Sequence, residues 1–162
     1  MKTRMKLATV LLLLVLVGGL QTTASAQSVN ARENRIVGLW DVQVTISNCD
    51  TGAPLLSFWG LHTYELGGTA QIVPGAKSAE VSEHVGVWRY VRDNDYRLDF
   101  KEFRFDAAGN TIGWVVVRNK VSINDGATEY RGSGEAEFFD PNGNPLGKVG
   151  CPTLTGKRFA AE

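Results

Sequence analysis

Between Arg35 and Cys49 the chain alternates. Trp40, Val42, Val44 and Ile46 fall on one side of an extended backbone, and Asp41, Gln43, Thr45 and Ser47 on the other. That is the period-two signature of a strand buried on one face. The pattern recurs. Leu55–Leu66 sets Phe58, Gly60, His62 and Tyr64 against Trp59, Leu61, Thr63 and Glu65, and Leu66-Gly67-Gly68 turns it into a short third strand, Thr69–Val73. Val85–Val91 and Tyr96–Phe105 read as a fourth and a fifth strand around the turn Arg92-Asp93-Asn94-Asp95. Within the fifth, apolar parity moves from Leu98 and Phe100 to Phe103 and Phe105, which predicts a β-bulge. Thr111–Ile123 is rich in β-branched residues, and Asn124-Asp125-Gly126 is a strong hairpin turn into a seventh strand, Thr128–Phe139. Leu146–Phe159 supplies the last strand, interrupted near Gly150. One D-x-x-G-N turn occurs twice, Asp106–Asn110 and Asp140–Asn144, each after a Phe. The longest irregular stretch, Pro74–Glu83, is a candidate lid.

These elements make an all-β chain, and short strands at regular spacing allow a sandwich or a barrel. The two ends favour the barrel. If Cys49 and Cys151 are bonded and the terminal strands run antiparallel, Trp40 lands beside Arg158 and Phe159. First strand then meets last, and the sheet closes. The expected fold is an eight-stranded antiparallel up-and-down barrel.

The first residues stand outside that pattern. A basic head, Met1–Lys6, precedes the apolar run Leu7–Leu20, and Ala24-Ser25-Ala26 is an A-x-A cleavage site. Together they read as a secretory signal peptide; the run falls short of the roughly 20 residues a spanning helix needs. The expected organisation is a signal peptide over residues 1–26, a flexible lead-in over 27–34 and one barrel domain over 35–162. The leader holds Lys2, Arg4 and Lys6 and no acid, so of 17 basic and 17 acidic side chains the mature chain keeps 14 and 17. A slightly acidic chain without blocks of like charge lacks the footprint of a nucleic-acid binder or an electrostatic membrane anchor, and no further apolar segment offers a membrane span. Both cysteines lie in the exported part, where a disulfide is the expected state and periplasm or extracellular space the expected location.

Gly38-Leu39-Trp40 on the first strand, with Lys157-Arg158 at the end of the last, resembles the calycin superfamily of lipocalin-like barrels. The resemblance implies that Trp40 closes the barrel bottom and that Arg158 stacks over it, a contact worth about 0.5–2 kcal/mol. The G-x-W pattern recurs as Gly86-Val87-Trp88. The mature chain also resembles a group of exported bacterial proteins.

Candidate chemistry is sparse. The seventh strand places Tyr130, Gly132, Gly134, Ala136 and Phe138 on one face and Arg131, Ser133, Glu135 and Glu137 on the other. A small-residue inner face leaves room for a cavity; alternatively Gly132 and Gly134 mark bends or accommodate neighbours such as Trp88 or Trp114. His62 shares a face with Phe58 and Tyr64, so it either hydrogen-bonds a ligand, moves a proton, or is a structural imidazole satisfied by a neighbour. His84, beside Glu83 at a loop–strand junction, reads as a solvated surface residue. The carboxylate pairs Glu80/Glu83, Asp93/Asp95, Asp99/Glu102 and Glu135/Glu137 lack the defined facing geometry that glycoside chemistry needs. Asp93-Asn94-Asp95 has too few ligands for calcium, and the two cysteines without a His/Asp cluster do not make a zinc site. No nucleophile elbow and no phosphate-cradling loop occurs. No cofactor is expected.

Three functions fit this reading. The first is a barrel binding a small, mostly apolar molecule, lined by Phe58, His62, Tyr64, Trp88, Tyr130, Gly132 and Gly134. The second is a cyclase or isomerase in which His62 or Glu102 moves a proton. The third is a module with a filled core that acts through its outer surface.

Overall fold

Eight strands form where the alternation predicts them. They are β1 (Gly38–Ser47), β2 (Pro54–Tyr64), β3 (Thr69–Pro74), β4 (His84–Arg92), β5 (Asp95–Phe105), β6 (Thr111–Ile123), β7 (Glu129–Phe139) and β8 (Pro145–Arg158). The computed structural model describes residues 31–75 and 81–160. The signal-peptide reading, the start of the lead-in and the middle of the candidate lid fall outside the described residues. Each strand pairs antiparallel with the next, and β1 also pairs with β8, so the sheet closes into a barrel. Trp40 lies opposite Arg158 and Ser47 opposite Cys151. Just beyond, Cys49 and Cys151 are bonded, with their Cα atoms 5.1 Å apart. The bond spans 102 residues of sequence, a loop for which chain entropy alone gives roughly 4–5 kcal/mol.

Inward-facing side chains from every strand form one core, led by Trp40, Val42, Tyr64, Tyr96, Leu98 and Tyr130. In β5 the expected bulge is absent where parity was read to slip. Residues Asp95 to Arg104 pair one for one with β6, and the register shifts only between Arg104 and Phe105. Tyr96, Leu98, Phe100 and Glu102 all point inward, while Phe103 is 44% exposed. The apolar run misled because a carboxylate occupies an inner position and a phenyl ring an outer one. Outside, Lys101 Nζ covers the exposed Phe103 and the half-buried Trp114, 5.3 Å and 4.1 Å from their ring centroids. The expected break near Gly150 is a register shift against β7 between Ala136 and Glu137, and β8 runs through it.

The barrel's two ends differ. At one, the segment before β1 crosses the opening. Ile36 is fully buried and its carbonyl accepts from Trp40 Nε1 at 2.8 Å. Arg35 donates to Asn94 Oδ1 at 2.6 Å and to the carbonyls of Asn124 and Asp125 in the β6–β7 turn. Tyr96 donates to the Arg32 carbonyl at 2.8 Å. Arg158 lies 4.2 Å from the Trp40 ring centroid and donates to the carbonyls of Ala127 (2.7 Å), Val37 (2.8 Å) and Arg35. Gly38 is dictated by this plug: its φ is +129°, and a Cβ there would sit 2.7 Å from Arg158 Nη1.

At the other end lie the disulfide and the turns after β1, β5 and β7. The two D-x-x-G-N turns are built alike. Asp106 Oδ1 accepts from the backbone N–H groups of Ala108 (2.9 Å) and Asn110 (2.8 Å), and Asp140 Oδ1 from those of Asn142 (2.9 Å) and Asn144 (2.8 Å). The side-chain amides of Asn110 and Asn144, joined by these backbone bonds, hold both carboxyls below their ordinary pKa. Nothing among the described residues plugs this end.

Candidate functional site

Between the plug and the disulfide end the barrel encloses a cavity of about 430 Å³. Its walls come from inward positions of the strands, including Val44, Phe58, Ile72, Phe100, Val115, Val117 and Leu154. Leu55, Leu56, Ile112 and Val149 belong to the rim and are largely exposed. Aliphatic and aromatic walls of this size suit a small ligand with few polar groups.

Polar groups meet the cavity at two depths. The deep one is His62, fully buried on β2. Its Nδ1 lies 3.2 Å from the Tyr64 hydroxyl and 3.2 Å from the Tyr130 hydroxyl, and the two hydroxyls are 3.2 Å apart. Proton counting assigns the tautomer. With Nδ1 unprotonated, it accepts from one phenol and that phenol's oxygen accepts from the other, so both hydroxyl protons find partners. With Nδ1 protonated, one buried hydroxyl proton has nowhere to go. The proton therefore sits on Nε2, the nitrogen on the far side of the ring from the tyrosines, and Nε2 has no protein partner. Burial, with a smaller contribution from the charge of His84, lowers the His62 pKa to about 3, so the imidazole is neutral near pH 7. Burial raises both phenols. Asn119 on β6, 3% exposed, is also in the wall, and its Oδ1 is buried without a partner.

The shallow group is a carboxylate between two nitrogen bases. Glu102 Oε2 meets His84 Nε2, and Glu102 Oε1 accepts from Arg104 Nη1 at 3.2 Å. Burial alone would raise the Glu102 pKa, but the hydrogen bond and charge of His84, joined by those of Arg104, outweigh it and hold the carboxyl below its ordinary value. His84 is therefore not a surface residue: its side chain is 12% exposed and faces the cavity. The β3–β4 register sets Ile72 opposite His84, which carries the imidazole inside.

Of the ligand-binding and proton-transfer candidates read from sequence, Phe58, His62 and Glu102 line this cavity, as do Ala136 and Phe138 of the β7 inner face. Tyr64 and Tyr130 sit beneath it, with Tyr130 5.0 Å from Trp40, and reach it only through His62. Trp88 lies toward the plugged end, donating to the Glu65 carbonyl at 2.9 Å and packing on Tyr96. Gly132 and Gly134 do not enlarge the lumen. A Cβ on Gly132 would fall 2.4 Å from Val121 Cγ1, and one on Gly134 2.2 Å from Asn119 Oδ1 and from the Arg118 carbonyl. These glycines admit the side chains and backbone of β6 instead. Glu135 and Glu137 face out, paired with Lys148 (2.7 Å) and Arg118 (3.1 Å). Asn119 and Arg104 carry no reading from sequence, and His84 reads as surface; the signal for Asn119 is a lone amide in phase with Val115, Val117 and Val121.

Among the described residues, no cluster of three or more His, Cys, Asp and Glu could hold a metal ion. No protein-family model, curated protein or solved structure matches this chain.

Proposed function

We propose that this chain is an exported barrel that binds a small, mostly apolar molecule in its lumen. The observation that carries this is the cavity itself: about 430 Å³, walled by hydrocarbon, with polar groups confined to two places. Export is supported by the leader's composition and by the Cys49–Cys151 bond, which suits an oxidising compartment. Proton transfer is the weaker use of this site. An imidazole with a pKa of about 3 is a poor base near neutral pH, and Glu102 is held between His84 and Arg104. A filled core is hard to reconcile with a cavity of this volume.

Native mass spectrometry of the protein purified from its own host tests the reading. A co-purifying small molecule, released on denaturation, is the expected result. Consistent absence of any bound species, together with no uptake of apolar fluorescent probes, would overturn it.

A further inference from the structure

We propose that the ligand is a neutral alcohol seated hydroxyl-first, its oxygen accepting from His62 Nε2–H and its proton going to Asn119 Oδ1. This rests on the lumen-binding reading above and names the ligand class that reading leaves open.

Among the described residues, three buried side-chain N or O atoms find no hydrogen-bond partner, and two of them, His62 Nε2 and Asn119 Oδ1, belong to side chains of the cavity wall. Orphaned buried groups are uncommon and costly, and each calls for an explanation. Here the pair has opposite character. The two phenols take up the acceptor nitrogen of His62, so its remaining nitrogen is a donor. The amide oxygen of Asn119 is an acceptor. A hydroxyl is the smallest group that both accepts and donates. Gly134 fits this assignment, since any side chain there would collide with Asn119 Oδ1 and push the amide out of place.

Other head groups fit less well. A carboxylate would be stripped of water beside a neutral imidazole and would face the lone pairs of Asn119 Oδ1. The cavity-lining arginine, Arg104, is at the shallow site and already bonded to Glu102. An ether can accept from His62 but leaves the amide oxygen unpaired, and a hydrocarbon leaves both. Apart from the shallow Glu102–His84–Arg104 group, whose members are bonded to one another, the remaining wall is apolar, so the remainder of the ligand is hydrocarbon extending toward Leu55, Ile112 and Val149 at the rim.

The test uses the purified, disulfide-bonded protein and three chain-matched probes, 1-decanol, decyl methyl ether and decanoate, each competing with a fluorescent apolar reporter. Decanol should bind about ten- to hundredfold more tightly than the ether, the worth of one buried acceptor satisfied, and decanoate more weakly than decanol. Asn119→Leu should erase the decanol advantage over the ether, with an unchanged far-ultraviolet circular dichroism spectrum and a cooperative urea transition verifying that the variant is folded. As a readout independent of any substitution, the His62 Nε2–H proton resonance should move downfield on saturation with decanol. Equal affinity for alcohol and ether, tighter binding of decanoate, or an unmoved His62 resonance each overturns the proposal while leaving a lumen that binds. If none of the three probes displaces the reporter, the lumen-binding reading itself fails, and this one with it.

Discussion

The two ends of this barrel are made from the same eight strands and the same alternation, yet one is packed and the other is hollow. At the plugged end, inward positions carry large rings: Trp40, Tyr64, Trp88, Tyr96 and Tyr130. Their polar atoms go to backbone carbonyls, to one another or to His62 Nδ1. At the disulfide end, inward positions carry smaller side chains such as Val44, Val115, Val117 and Ala136, whose volumes do not fill the circumference. The difference teaches that closure and cavity are separate decisions. Closure is made by the plug and its arginine; the space is made by what the other halves of the same strands leave out.

The comparison can be broken most strongly at the plug. Trp40→Ala removes a fully buried indole and the face on which Arg158 rests. It should cost about 3–5 kcal/mol, read as a lower urea midpoint at an unchanged slope. A loss under 1 kcal/mol would mean that the plug is not what stabilises the fold.

Acid comes next. Folded His62 stays neutral down to about pH 3, whereas the unfolded side chain takes a proton near 6.5. The unfolded state therefore binds more protons across that window, and stability falls as pH drops, by roughly 1.4 kcal/mol per unit. Between pH 6 and pH 4 the loss should be about 2–3 kcal/mol. Glu102 acts in the same sense: its lowered pKa contributes stability above its ordinary value of 4.5, lost as pH falls further. His62→Gln, which keeps an acceptor for the phenols, should flatten the slope above pH 4.5. An unchanged slope in that variant would show that another group governs the acid limb.

Ala136→Phe sharpens the contrast from the hollow side. Ala136 lines the cavity, so a phenyl ring there finds space where a packed core would charge 1–3 kcal/mol for overpacking. Stability should change by less than about 1 kcal/mol, while uptake of apolar probes drops at least tenfold. Smallest of all, Ile112→Ser on the exposed rim should move the unfolding free energy by no more than about 0.5 kcal/mol. A clear destabilisation there would mean that the rim is packed against something.

Much of this was legible in the chain. Alternation in the first two strands and the seventh, β-branched content in the sixth and turn chemistry between them mark out the strands, and Trp40, Arg158, Cys49 and Cys151 point to the closure. What alternation does not encode is height along the barrel axis. Parity says that Tyr130, Trp88 and Phe58 all point inward; only the register, accumulated over eight pairings, says that the first two belong with the plug and the third with the cavity. The same limit hid Asn119 and His84, polar side chains at inner positions near the lumen. Glu102 defeated parity itself, because an inward carboxylate looks like a break in an apolar stripe. For the β7 glycines the chain leaves two readings open, cavity or room for a neighbour, and the neighbour they admit is β6.

The pairing of residues 40–47 with residues 151–158 carries a kinetic consequence. The first strand of the barrel has, on one flank, the eighth as its partner, so this part of the ladder must wait for the six strands between them. Such non-local contacts slow folding. Until the C-terminal strand arrives, one edge of β1 stays open to a stranger's backbone, and the cysteine just past its end has no mate. Any helper that guards this chain before it folds therefore has a defined exposed edge to cover, and a defined moment at which to let go.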